Sequence, residues 1–120
     1  MARICINALA LDPKRTGGAE TYVRQLIGCP AFREALAGHE VTLLSGTPSD
    51  PVLERSGFEV VRGPVDPARR NTRILWEQVT LPGLLADLRP DLVHFPYSTT
   101  CWRYAGPQVV TVHDTTNFIM

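Results

Sequence analysis

The stretch Ile4-Cys5-Ile6-Asn7-Ala8-Leu9, followed by the polar loop Asp12-Pro13-Lys14-Arg15-Thr16-Gly17-Gly18, decides the fold. The first segment is a short apolar run of the kind that forms a buried strand, and from Ala19 the apolar residues Tyr22, Val23, Leu26 and Ile27 recur at helical spacing. Strand, glycine-bearing loop and helix form the opening unit of a parallel α/β fold. In such a fold the first strand takes the centre of the sheet, and the loop at its carboxyl end faces the ligand crevice. Gly17 and Gly18 are therefore the first candidate functional residues. Adjacent glycines let the backbone approach a ligand closely, and N–H groups at a helix N-terminus favour an anion such as phosphate. The same pair also reads as a plain turn, with Gly17 as N-cap and Glu20 in the capping position.

The alternation continues downstream. Gly28-Cys29-Pro30 stops the first helix, and Pro30 suits the first position of a short second helix reaching Ala37, ended by Gly38 as a left-handed cap. Val41 to Leu44 is a nearly all-apolar strand of the kind covered on both faces. Asp50 to Ser56 makes a helical turn or two, and Phe58 to Val61 is a more alternating strand nearer the sheet edge. A helix opens at Asn71 or Thr72 with Ile74, Leu75, Gln78 and Val79 at helical spacing, and Pro82 breaks or kinks it before Leu84, Leu85 and Leu88 carry the pattern on. Asp91 to Phe95 and Gln108 to His113 are the last two strands. The expectation is a Rossmann-like, doubly wound parallel sheet in the order 3-2-1-4-5.

At 120 residues the chain forms one domain, burying roughly 65% of its unfolded surface. Twelve basic residues balance twelve acidic ones, so no global field attracts nucleic acid or an anionic membrane, and anion binding must be local. Cys5, Cys29 and Cys101 have no paired spacing and read as reduced thiols of a cytoplasmic protein. Asn7 and Asp12-Pro13 argue against reading the first residues as a signal peptide.

Two nucleotide motifs are excluded. A dinucleotide site needs G-x-G-x-x-G directly after the first strand and an acidic residue ending the second, whereas here the glycines come late and the second strand ends in Ser45-Gly46. A P-loop needs lysine and a hydroxyl after its second glycine, whereas Lys14-Arg15-Thr16 precede the pair. No Asp-x-Asp pair and no metal-ligand spacing occurs, so neither a metal nor another cofactor is expected.

Three local patterns together resemble one family: Gly17-Gly18-Ala19-Glu20-Thr21-Tyr22-Val23 after an Ile-Asn-Ala strand, Leu75-Trp76-Glu77-Gln78 through Leu81-Pro82, and His94-Phe95-Pro96-Tyr97-Ser98 followed by Val110-Thr111-Val112-His113-Asp114. The chain resembles the amino-terminal half of the retaining glycosyltransferases of the GT-B fold, family four. That resemblance implies two facing Rossmann-like domains, the first mainly receiving the acceptor and the second holding a nucleotide-diphosphate sugar. It implies that this chain covers most of the first domain and stops before the second, and so has no sugar-transfer turnover alone. By position, Gly17 and Gly18 match the loop that approaches the donor's diphosphate, and His113 matches the histidine beside the donor sugar. A histidine at the carboxyl end of a buried strand also lies where this fold places ligand-contacting groups. Asp114 either orients His113 or caps the following turn.

Arg69, Arg70 and Arg73 cluster where a helix starts, against its dipole, so helix stability does not explain them. They suit an anionic acceptor or a phosphate on a lipid carrier, the latter with a peripheral place at the inner membrane face; a solvated basic face is the alternative. Trp76 and Tyr97 are candidates for stacking on a sugar ring, with core packing the alternative for Trp76. His94, inside a strand, reads as a core histidine. The rival functions are a stand-alone binding module for a sugar phosphate or nucleotide, and a nucleotide-sugar epimerase. Sheet edge left open by truncation is expected to favour self-association.

Overall fold

The computed structural model describes residues 2–14, 18–96, 104 and 106–110. Its elements are β1 (Arg3–Ala8), α1 (Gly18–Gly28), α2 (Pro30–Ala35), β2 (Glu40–Ser45), α3 (Pro51–Glu54), β3 (Glu59–Arg62), α4 (Arg70–Val79), α5 (Leu81–Leu88), β4 (Leu92–Phe95) and β5 (Gln108–Val110). The sheet has five strands in the order β3-β2-β1-β4-β5. Every pairing is parallel, with Ile6 opposite both Leu43 and His94. The fold is the Rossmann-like α/β sheet that the strand and helix pattern implies, with β1 at its centre. Among the described residues no helix is long and apolar enough to cross a membrane.

Side-chain alternation along the strands separates two cores. Ile6, Ala8, Leu43 and Leu53 pack with Val23 and Ile27 of α1 on one face. Cys5, Leu9, Leu44, Val93 and Phe95 pack with Leu81 and Leu85 of α5 on the other. Burying each such leucine or phenylalanine contributes about 1.5–3 kcal/mol. Burial also pushes the Cys5 thiol up to about 12, which leaves it protonated and unreactive.

Local chemistry sets the boundaries. Cys29 is extended between α1 and α2, with Pro30 in the first turn where its missing N–H costs nothing. Gly38 takes φ +88° after α2, as a left-handed cap requires. Asp50 caps α3 by accepting from the Val52 N–H at 2.9 Å. Pro82 divides the fourth helical segment at Thr80, which ends α4 and opens α5.

The face of α4 differs from its sequence pattern. Leu75 and Val79 are 64% and 59% exposed, while Arg73 and Glu77, at 8% and 1%, face the sheet. Of the expected stripe Ile74, Leu75, Gln78 and Val79, therefore, Leu75 and Val79 lie on the outer surface while Ile74 and Gln78 are half-buried. A buried ion pair takes the inner one, because it has polar partners there.

Gly46 lies where the chain leaves β2 beneath the loop after β3. Thr47 N–H donates to the Val65 carbonyl at 2.7 Å, and Gly63 N–H to the Ser45 carbonyl at 2.7 Å. A Cβ on Gly46 would meet Val65 O at 2.6 Å, whereas one on Gly83, in α5, would meet nothing. Gly46→Ala is expected to lower the unfolding free energy by about 1–3 kcal/mol by overpacking. Gly83→Ala is expected to raise it by about 0.5–1 kcal/mol, and urea denaturation of both variants checks the pair.

His94, half-buried on β4, lines an apolar hollow of about 180 Å³ with Ile6, Phe32 and Leu36. This desolvation pulls its pKa below the ordinary 6.5. The unfolded chain then takes up a proton that the folded chain resists. Stability is expected to be full above pH 6.5 and to fall as the pH drops below it, and histidine ring shifts followed by NMR against unfolding midpoints test this.

Candidate functional site

The carboxyl ends of β1 to β5, at Ala8, Ser45, Arg62, Phe95 and Val110, lie on one edge of the sheet because all strands are parallel. This is the edge at which an open α/β sheet forms its crevice. The loop after β1 is held there from two sides.

On the sheet side the support is Asn7, a polar residue in the central strand. Alternation turns its side chain to the face that α4 and α5 cover, where a buried amide is costly unless hydrogen-bonded. Its Nδ2 donates to Glu77 Oε2 at 3.0 Å, and its Oδ1 accepts from the Leu9 N–H at 3.0 Å. Arg73, one turn before Glu77, donates from Nη1 to Glu77 Oε1 at 2.8 Å. Its Nε is buried with no partner among the described residues. A further backbone bond, from Leu11 N–H to the Ala8 carbonyl at 3.1 Å, closes the turn.

On the helix side the support is Arg24 of α1. Its Nη2 donates to the Asp12 carbonyl at 2.7 Å and its Nε to Asp50 Oδ2 at 2.9 Å. Asp12 itself accepts from the Lys14 N–H at 2.9 Å, an Asx turn in the same loop. One guanidinium thus ties the loop after β1 to the loop after β2.

Gly18 is the first residue of α1 and is exposed; a Cβ built on it would meet nothing within 4 Å. Packing among the described residues does not require a glycine here, and no described atom fills the space in front of it. Arg69 and Arg70 are exposed at the start of α4, which has no acidic residue in its first turn and no side-chain cap. Arg69 comes only within 4.0 Å of Asp66. Arg73 is separated from these two, since it is buried against Glu77. Trp76 packs on the α4–α5 core, its ring carbons 3.3 Å from where a Cβ on Gly63 would lie. Arg73 is thus neither free at the surface nor part of a solvated basic face, and Trp76 packs as core between helix and sheet. Gly17, Tyr97, His113 and Asp114 lie outside the described residues, as do residues 111–113 of the expected fifth strand.

Among the described residues no three histidine, cysteine or acidic side chains gather as a metal site. A hollow of about 440 Å³ flanks the same edge between Thr47, Arg55 and Arg62. Sequence reasoning missed Asn7, Glu77 and Arg24 as site residues. The available signals were an asparagine inside an otherwise apolar strand and the Asp50-Pro51 pair that opens α3.

Residues 16–119 match the family model described as Glycosyltransferase Family 4. No curated protein and no solved structure matches the chain. The matched span takes in the Gly18 entry to α1, the Arg73–Glu77 pair and all but the first strand of the sheet, and on that match the chain belongs to glycosyltransferase family 4.

Proposed function

We propose that this chain is the acceptor-side domain of a GT-B glycosyltransferase that moves a sugar from a nucleotide-diphosphate donor to an acceptor with retention, without a metal. The observation that carries this reading is Gly18: a glycine at the N-terminus of α1, on the crevice edge beside the central strand, with no described atom where a side chain would be. N–H groups at a helix N-terminus and the helix dipole suit the donor's diphosphate, and a glycine lets it approach the backbone. The family match supplies the reaction class.

In this reading Gly17 and Gly18 face the diphosphate, and His113 faces the donor sugar with Asp114 behind it. Arg69 and Arg70 meet an anionic group on a small-molecule, carbohydrate or lipid-linked acceptor, and Tyr97 stacks on its ring. A second domain outside this sequence holds most of the donor. The chain's own work is to position the reactants and to stabilise charge on the leaving diphosphate. Split between two domains, the site gives no turnover in this chain alone.

The test assays a panel of nucleotide-diphosphate sugars with the chain alone and joined to a family donor domain, following transferred sugar by mass spectrometry and its anomeric configuration by NMR. Transfer with retention by the joined protein only is the expected outcome; transfer by the chain alone, or inversion, contradicts the reading. Gly18→Val is expected to reduce transfer about 100-fold by displacing the diphosphate. Because a Cβ at position 18 meets no described atom within 4 Å, its unfolding midpoint should move little. Unchanged transfer in this variant would remove Gly18 from the donor site.

A further inference from the structure

We propose that Glu77 is a positioning residue that sets the conformation of the loop between β1 and α1 through the side-chain amide of Asn7. The functional meaning of that loop rests on the glycosyltransferase reading; the positioning itself does not. A carboxylate that is 1% exposed is costly to bury, and a buried ion pair brings little net stability over an apolar pair of the same volume. Stability alone does not account for Arg73 and Glu77 on the inner face of α4.

The hydrogen-bond chemistry gives them a purpose. An arginine only donates and a carboxylate only accepts, so Arg73 Nη1 and Asn7 Nδ2 both give protons to Glu77. With its NH2 group committed in this way, Asn7 has one orientation, and its Oδ1 must point at the Leu9 N–H. The polarity runs from both ends to a single arrangement. A neutral residue at position 77 would accept either orientation of the amide and leave the turn at Leu9 unspecified. Arg24 holds the same loop a second time, at the Asp12 carbonyl. The chain from Leu9 to Asp12 is thereby held twice, once from each face of the sheet.

Reversing the polarity tests this. Asn7→Asp sets two carboxylates against each other. Combined with Glu77→Gln, it restores a matched set: the new amide at position 77 donates to the new carboxylate at position 7 and accepts from Arg73, and the second carboxylate oxygen remains for the Leu9 N–H. Amide exchange at Leu9, compared with Leu43 of β2, reads the loop separately from global unfolding. Asn7→Asp is expected to speed Leu9 exchange about tenfold more than Leu43 exchange, and the double variant to return it to within about threefold of the parent. If Asn7→Asp does not fold, Glu77→Gln alone is expected to speed Leu9 exchange about threefold with Leu43 unaffected. Equal acceleration at both amides, or a double variant no slower than Asn7→Asp, overturns the proposal. Sugar transfer by the same variants joined to a donor domain forms a second arm. Absence of transfer in the parent defeats the glycosyltransferase reading and leaves the exchange result to decide the role of Glu77.

Discussion

A polar side chain in the middle of a buried parallel strand has to be hydrogen-bonded, and Asn7 meets that constraint through Glu77. Much of the molecule follows from it. Strand alternation fixes which face Asn7 uses, so a helix must bring an acceptor to that face, and the helix that does so is α4. Glu77 then needs a donor-rich neighbour, which Arg73 supplies one turn earlier. Once this face of α4 carries a charged pair, Leu75 and Val79 cannot also lie on it, and they point to solvent. Apolar contact on this side of the sheet passes to Trp76 at the flank of α4 and to Leu81 and Leu85 of α5.

The two faces of the sheet are thus built differently. The α1 face is apolar where Val23 and Ile27 meet Ile6, Ala8 and Leu43, and its polar contact, Arg24 with Asp12 and Asp50, sits at the rim. The α4–α5 face carries its polar group inside, next to the central strand. Both polar groups converge on the same loop. A loop held in this way presents the start of α1 to the crevice without requiring side-chain contacts from Gly18 itself. That is the arrangement expected where the partner is a ligand.

The architecture was legible because parallel sheets write continuous apolar strands and short helices punctuated by glycine and proline, and each boundary had a local cause. The strand order, the break at Cys29-Pro30, the cap at Gly38 and the division at Pro82 were all readable from such causes. The face of α4 was not. Periodicity weighs apolar residues only, and an ion pair on the buried side is invisible until its partner, 70 residues earlier in the chain, is placed beside it. The same limit hid Arg24, whose acceptors lie on two loops that only the tertiary fold brings together. It also grouped Arg73 with Arg69 and Arg70 by proximity in sequence, although burial separates them. The start of α1 at Gly18 was readable because its cause is local.

If the loop after β1 and the start of α1 face the ligand, a bound donor must perturb them first. The most direct measurement titrates the isotope-labelled chain with a nucleotide-diphosphate sugar at millimolar concentration and maps amide shift changes. Changes are expected to concentrate at Leu9 to Lys14, Gly18 and the carboxyl end of β4, with Arg3, Glu40 and Asp91 at the opposite edge unmoved. Changes centred on that opposite edge, or none near Gly18, would contradict this placement of the site.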